Sequence, residues 1–247
     1  MMVNEVQSTR ECVLVTGASR GIGRAILERL IADGMHVINF DKEPPTQIAA
    51  YESFFEVDVS NENILRTALA EVTSTFSITR LVNNAGIVRP ATIENTTIAD
   101  LHAVMNVNIA AAIICIQAVI PSMKAAHFGR IVNISSRAAL GKEERIAYAT
   151  SKAGLLGLTR TLALELATDG ITVNAVGPGP IATELFQSAN PPGTPATQRI
   201  LDSVPLGRSG QPEEVAHIVA SLLDQRAGFT TGQVVYVCGG MTVGLSQ

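Results

Sequence analysis

One feature restricts the fold of this chain more than any other: short apolar runs rich in β-branched residues alternate strictly with stretches of helical spacing. Cys12-Val13-Leu14-Val15 reads as a strand, 22–32 as a helix ended by Gly34, and 36–40 as the next strand. Strands follow at 54–57, from Leu81-Val82, at 130–134, at 171–176 and at 233–237. Helical patterns at 61–76, 100–126, 147–168 and 212–223 separate them, the last opened by Pro212. Strands alternating with helices are joined by right-handed crossovers into a parallel sheet. Strands apolar on both faces must be covered on both. The expectation is an α/β fold, a doubly wound parallel sheet with helices on both faces, formed as a single domain over 1–247. In such sheets ligands bind beyond the carboxyl ends of the strands, where the strand order reverses. Residues just after strands are therefore the ones to inspect.

Composition removes several function classes. The net charge is -4 with a sequence pI near 5.6, and Lys and Arg are scattered, so the basic footprint of a nucleic-acid binder is missing. The apolar stretch 109–116 is too short to span a bilayer and reads as a buried helix. The first ten residues lack an apolar segment of the signal-peptide type, which makes the cytoplasm the expected location. Cys12, Cys115 and Cys238 are far apart and read as buried thiols, and the four histidines show no metal-ligand spacing. No metal is expected.

Thr16-Gly17-Ala18-Ser19-Arg20-Gly21-Ile22-Gly23 follows the first strand and opens a helix. Glycines there allow a tight turn and let backbone approach a pyrophosphate, while the helix start offers unpaired N–H groups. Asp41 ends the second strand, where a carboxylate accepts hydrogen bonds from the ribose hydroxyls of NAD and repels the 2′-phosphate of NADP. Arg20 pulls the other way, since a guanidinium pairs with that phosphate. The carboxylate at the ribose outweighs the more flexible arginine, so NAD is expected and NADP less so. Asp58 and Val59 follow the third strand, at the level of the adenine, and Asn84-Ala85-Gly86 follow the fourth.

Tyr148 and Lys152 stand one helical turn apart on one face. A free phenol has a pKa near ~10, so acid/base work near neutrality needs it lowered by roughly 2–3 units. A nearby ammonium acts in that direction. Ser135 and Ser136 follow the fifth strand at the same sheet edge, and a hydroxyl there can donate to a carbonyl oxygen. Counting back from Tyr148 points to Ser135; counting along the strand from Asn84 points to Ser136, which is favoured because a strand fixes position more firmly than a loop. Asn108 sits mid-helix, a poor place for its propensity and so a sign of another role. Pro178, Gly179, Ile181 and Thr183 belong to a rigid turn after the sixth strand.

Taken in order from about Cys12 to Gly240, these motifs resemble the short-chain dehydrogenase/reductase family. The resemblance implies a Rossmann-like domain and an NAD(P)-dependent alcohol dehydrogenase or ketoreductase. Such an enzyme moves a hydride between cofactor and a secondary alcohol or ketone. It implies that Gly17, Ser19, Arg20, Gly21, Ile22, Gly23, Asp41, Asp58, Val59, Asn84, Ala85 and Gly86 bind the cofactor. Ile181 and Thr183 would touch the carboxamide beside Pro178 and Gly179. Tyr148 would be the general acid/base, Lys152 would lower its pKa and hold the nicotinamide ribose, Ser136 would orient the substrate, and Asn108 would hold a water. A homotetramer packed through the two long helices is also implied.

The segment between the serines and Tyr148 is one residue shorter than the family pattern and unusually charged, Gly141-Lys142-Glu143-Glu144-Arg145. With Arg137 it reads either as an anion-recognition loop or as mutual surface ion pairing, the second being favoured. The region 184–206, with Pro191-Pro192-Gly193-Thr194-Pro195, is expected to be a substrate lid, and its Leu185, Phe186 and Ile200 suggest a partly apolar pocket. The alternative function is an NADPH-dependent 3-oxoacyl-carrier-protein reductase. Asp41 and Asp169 argue against it, and Arg130 remains as a basic contact for an acidic carrier.

Overall fold

The computed structural model describes residues 10–243; the N-terminal residues read above for a signal peptide lie outside them. Seven strands, β1 (Cys12–Thr16), β2 (His36–Asp41), β3 (Glu52–Glu56), β4 (Ile78–Asn83), β5 (Gly129–Ile134), β6 (Ile171–Pro178) and β7 (Val234–Val237), form one sheet. Their order is β3-β2-β1-β4-β5-β6-β7 and every neighbouring pair is parallel. The chain winds outward from β1 to β3, then crosses back to β4, so the order reverses between β1 and β4.

Strand pleating sends successive side chains to opposite faces, and here both faces are apolar. Val13, Val15, Val37, Val82, Val132 and Val176 meet Ile26, Leu27 and Leu30 of α1 (Gly21–Ala32) and Val215, Val219 and Leu223 of α8 (Pro212–Leu223). Leu14, Ile38, Leu81, Ile131 and Val173 face the other way. They meet Leu65 and Leu69 of α2 (Glu62–Thr75), Ile114 and Val119 of α4 (Ala111–Ala125) and Ala163 of α5 (Ile146–Glu165). One strand therefore feeds two cores, which is why the strands lack polar alternation.

The long helix over 100–126 is continuous from Ile98 to Ala125 but not uniform. Between α3 (Ile98–Met105) and α4 lies a π-helical turn, Asn106–Ala110, in which the Ala111 N–H reaches back to the Asn106 carbonyl. By length and composition this whole helix is apolar enough to cross a membrane, more than the stretch 109–116 alone suggests, and half of its most apolar window is buried in the fold. Region 184–206 contains two short helices, α6 (Glu184–Ala189) and α7 (Pro195–Asp202), capped by the hydroxyls of Thr183 and Thr194. The side chain of Leu185 lies outside the described residues.

Arg80 and Arg130 are buried in β4 and β5, and Phe128 stacks against both, 4.8 and 4.3 Å from their guanidinium carbons. Arg130 donates to the carbonyls of Gly129, Gly170, Asp224 and Gln225. It is committed to the interior, which corrects its reading as a basic contact for an acidic carrier. Asp169 pairs with Lys124 at 2.8 Å.

Candidate active site

The turn after β1 is fixed from three sides. Gly17 takes a φ of 69°, and its N–H donates to the Phe40 carbonyl at 2.7 Å. The Asn84 amide donates to the carbonyls of Thr16 and Gly17 at 3.0 and 2.8 Å, and Thr16 Oγ1 accepts the N–H groups of Asn84 and Ala85. A Cβ on Gly23 would overlap the Gly17 carbonyl oxygen and lie 2.6 Å from the Asn84 amide nitrogen. Only a bare backbone allows helix and turn to close this far. Ile22 is half-buried against the valine-lined core.

Beneath the turn lies a buried polar network that the sequence reading missed. Asn39 Oδ1 accepts the Ala18 N–H at 3.2 Å, and its amide donates to Ser19 Oγ and to Glu52 Oε1 at 3.2 and 2.9 Å. Glu52 in turn pairs with Arg24 of α1 at 2.9 Å and accepts the Ala49 N–H. A lone polar residue inside His36-Val37-Ile38-Asn39-Phe40 was the visible sign of it.

Asp41 Oδ2 accepts the Ser19 N–H at 3.0 Å and Oδ1 the Glu43 N–H at 3.3 Å. Its carboxylate thus braces the turn and retains lone pairs for ribose hydroxyls. Arg20 pairs with Glu43 at 2.9 Å. Around this point a cavity of about 510 Å³ is lined by Ser19, Arg20, Glu43, Thr183 and Pro212, among others. Asp58 accepts the Ser60 N–H, and hydrogen bonds from Ser60, with a smaller contribution from Lys42, hold its carboxyl below the ordinary range. It behaves as a turn acid, with Val59 half-buried beside it.

At the catalytic end, elements from both halves of the sheet converge. Gly86, after β4, has no side chain; a Cβ there would lie 3.2 Å from Lys152 Nζ and 3.3 Å from Asn108 Oδ1. Asn108, placed by the π turn, accepts the Ile87 N–H at 2.8 Å. It donates to the Ile87 carbonyl at 3.1 Å and to Ser151 Oγ at 2.9 Å. Ser151 donates to the Tyr148 carbonyl at 2.8 Å, so Asn108 and Ser151 position the tyrosine from below. Ser151 was not singled out in the sequence, because its partner comes from a distant helix.

The two serines separate cleanly. Ser135 is buried and donates to the Lys152 carbonyl at 2.8 Å, tying β5 to α5. Ser136 caps the 3-10 turn Arg137–Leu140, and its side chain interacts with the Tyr148 phenol. Lys152 is buried, donates to the Ile134 carbonyl at 2.7 Å, and lies 5.6 Å from the Tyr148 ring centroid. Burial pushes its pKa down to about 8. An ammonium has three donors, so capacity beyond the Ile134 bond remains for ribose hydroxyls.

The direction of the tyrosine shift differs from the sequence expectation. Burial pushes the Tyr148 phenol up; hydrogen bonding from Ser136 and the charge of Arg145 oppose this. Desolvation acts on a group enclosed on several sides, which no spacing along a helix reveals.

After β6, Gly179 donates to the Val237 carbonyl at 2.9 Å, and buried Ile181 bridges to Gly210. Thr183 caps α6 and lies over the glycine turn, 3.4 Å from where a Gly21 Cβ would stand. Pro178 ends β6. The residues present fit a dinucleotide: a glycine turn braced by Asn84 and Asp41, with buried Lys152 across the switch point.

The chain matches the family model described as Enoyl-(Acyl carrier protein) reductase over residues 17–242. It is 38% identical over 248 residues to a 3-oxoacyl-[acyl-carrier-protein] reductase from Synechocystis sp., covering 95% of this chain and 98% of that one. Thermoplasma acidophilum aldohexose dehydrogenase superposes with a TM-score of 0.89 at 34% identity, covering 96% of each chain. ElxO, solved with NADP bound, gives a TM-score of 0.88 at 30% identity, covering 94% of this chain and 99% of that one.

Proposed function

The chain belongs to the short-chain dehydrogenase/reductase family, NAD(P)-dependent oxidoreductases of alcohol and keto groups, and we propose that it interconverts a secondary alcohol and a ketone with NAD(H). One observation carries this reading: Ser136 beside the Tyr148 phenol with the buried ammonium of Lys152 behind it, all at the carboxyl edge of the sheet. The dinucleotide supplies or accepts the hydride. Ser136 orients the carbonyl oxygen, and the Tyr148 phenol donates the proton in reduction and recovers it in oxidation. Lys152 stabilises the phenolate so formed and holds ribose hydroxyls. Asn108 and Ser151 keep the tyrosine in register, and Asn108 is the residue we assign to a relay water.

NAD is favoured by the carboxylates of Asp41 and Glu43, the second of which engages Arg20. A second reading, NADPH-dependent reduction of a 3-oxoacyl substrate, is favoured by the Synechocystis relative and by the NADP-bound neighbour. The Arg20–Glu43 pair is exposed at both ends, 60% and 49%, so it yields readily to a phosphate. Initial rates with NADH and NADPH across uncharged ketones separate the two; a strong NADPH preference overturns the first. The segment 184–206 is assigned as the cover over the substrate. We also assign a cytoplasmic homotetramer packed through the Ile98–Ala125 helix and α5, supported by half-buried Ile109 and Ile113 and by Leu164, which is 82% exposed.

A further inference from the structure

The loop between Ser136 and Tyr148 gathers cations without pairing them. Arg137 directly follows Ser136 and opens the 3-10 turn; Lys142 follows its end at Gly141; Arg145 is the last residue before α5, less than one turn from Tyr148. None of the ion pairs among the described residues includes Arg137, Lys142 or Arg145, although Glu143 and Glu144 share the loop. The reason is local. Glu144 takes a φ of 55°, and its carbonyl, rather than its carboxylate, accepts from Arg145 Nη1 at 2.9 Å and from the Ala91 N–H at 3.0 Å. A parallel bridge from Ala91 to Arg145 pins the loop to the segment after β4, the segment that Asn108 clamps at Ile87.

The charges are close enough to act on one another. Partial desolvation of the exposed Lys142 side chain, then the charges of Arg145 and Arg137, push its ammonium below the ordinary range, and Arg145 also favours the Tyr148 phenolate. Three cations against two acids leave the loop net positive, and an arriving anion satisfies cations that no loop carboxylate pairs with. The favoured sequence reading, mutual ion pairing, is therefore not what this loop does.

We infer that Arg137, Lys142 and Arg145 receive a carboxylate carried by the substrate close to its reacting carbon, making the substrate class a short keto acid and its hydroxy acid. The inference rests on the Ser136–Tyr148–Lys152 assignment above. Along the chain the cations flank the two residues that hold the carbonyl, Arg137 directly after Ser136 and Arg145 three residues before Tyr148. That placement suits an anion a few atoms from the reacting carbon better than a phosphate at the far end of a long thioester arm. The carboxylate itself is unchanged: the carbonyl carbon gains a hydride, its oxygen gains the Tyr148 proton, and the reverse holds in oxidation.

The test uses the full chain with saturating cofactor. Acetoacetate and 4-oxopentanoate are each compared with their methyl ester, and acetoacetyl-CoA with acetoacetyl-N-acetylcysteamine, by kcat/KM from reduced-nicotinamide absorbance. The acids are expected to exceed their esters by roughly tenfold or more, as charge-assisted hydrogen bonds imply, with the excess falling as salt rises. The Arg137→Gln, Lys142→Gln double variant is expected to bring the acid-to-ester ratio towards one. Because the ratio is taken within one preparation, partial misfolding does not imitate the result. Esters used as well as acids, or a double variant that keeps the ratio, overturns the inference. A preference for the CoA thioester over the shorter one, without preference for the acids, assigns the cations to phosphate and overturns it too. So does turnover of uncharged ketones alone, which leaves the oxidoreductase reading standing; failure of every ketone with both cofactors removes that reading as well.

Discussion

Replacing Lys152 with methionine keeps an unbranched side chain, one atom shorter, and deletes its charge, and the structure sets the size of two consequences. Nζ lies 5.6 Å from the Tyr148 ring centroid. At an effective dielectric of about 20, a unit charge there stabilises a phenolate by about 3 kcal/mol, or roughly two pKa units. That field acts only while Lys152 holds its proton, which burial limits to pH values below about 8. Oxidation needs the tyrosine oxygen to accept a proton. The variant should therefore lose roughly hundredfold in kcat/KM for alcohol oxidation near neutrality, with the rising limb of its pH profile displaced upward by about two units. The second consequence concerns stability. The lysine pKa falls from 10.5 to about 8 on folding, so between those values the unfolded chain binds the extra proton and stability rises with pH. Below about pH 8 the whole cost is present, about 3 kcal/mol at most, offset by roughly 1 kcal/mol from the bond to the Ile134 carbonyl. Lys152→Met should thus unfold at higher urea than the parent at pH 7, with the gap closing as pH passes 10.5. An unmoved rising limb refutes the electrostatic role; an inactive variant no more stable than the parent refutes the burial cost.

Tyr148→Phe should lower turnover by roughly 10²–10⁴-fold, the range of a lost general acid/base, while calorimetric affinity for the dinucleotide stays within about threefold. Gly23→Ala forces a methyl group into the Gly17 carbonyl and the Asn84 amide. It should abolish the rise in Tm that NAD(H) gives the parent; a preserved rise would mean that the turn does not hold the cofactor. Asp41→Asn with Glu43→Gln removes two carboxylates and frees Arg20. It should move the NADPH-to-NADH ratio of kcat/KM upward by roughly tenfold or more; an unchanged ratio would place the ribose elsewhere.

The sheet was legible because apolar periodicity is local and the strands are buried on both faces. Where boundaries moved, tertiary partners moved them. β3 begins at Glu52, earlier than the apolar run at 54–57, because Arg24 and Asn39 satisfy a carboxylate that sequence alone reads as loop. α6 and α7 escaped notice because each is short and set among prolines, with only a threonine cap to mark it. In the site, the spacing of Tyr148 and Lys152 fixed their shared helical face, and the strand count pointed to Ser136, which is the serine beside the phenol. Ser151, Thr16 and Glu52 were not legible, since each acts through a partner from another element. The upward shift of Tyr148 was not legible either, because enclosure belongs to the assembled site.

The turn at Asn106–Ala110 winds one residue more into its arc than a regular α-helix would. Each residue of an α-helix advances the side chain by about 100°, and the wider turn absorbs one such step, so losing a neighbour such as Val107 would let the arc relax to a regular helix with α3 and α4 still in phase but Asn108 turned on the helix face. The amide would swing away from Ile87 and Ser151 while every residue of the α4 core stayed in place. The clamp on the tyrosine is thus encoded by a count rather than by an identity. A one-codon deletion could silence this enzyme in a sequence whose chemistry, residue by residue, would still read as intact.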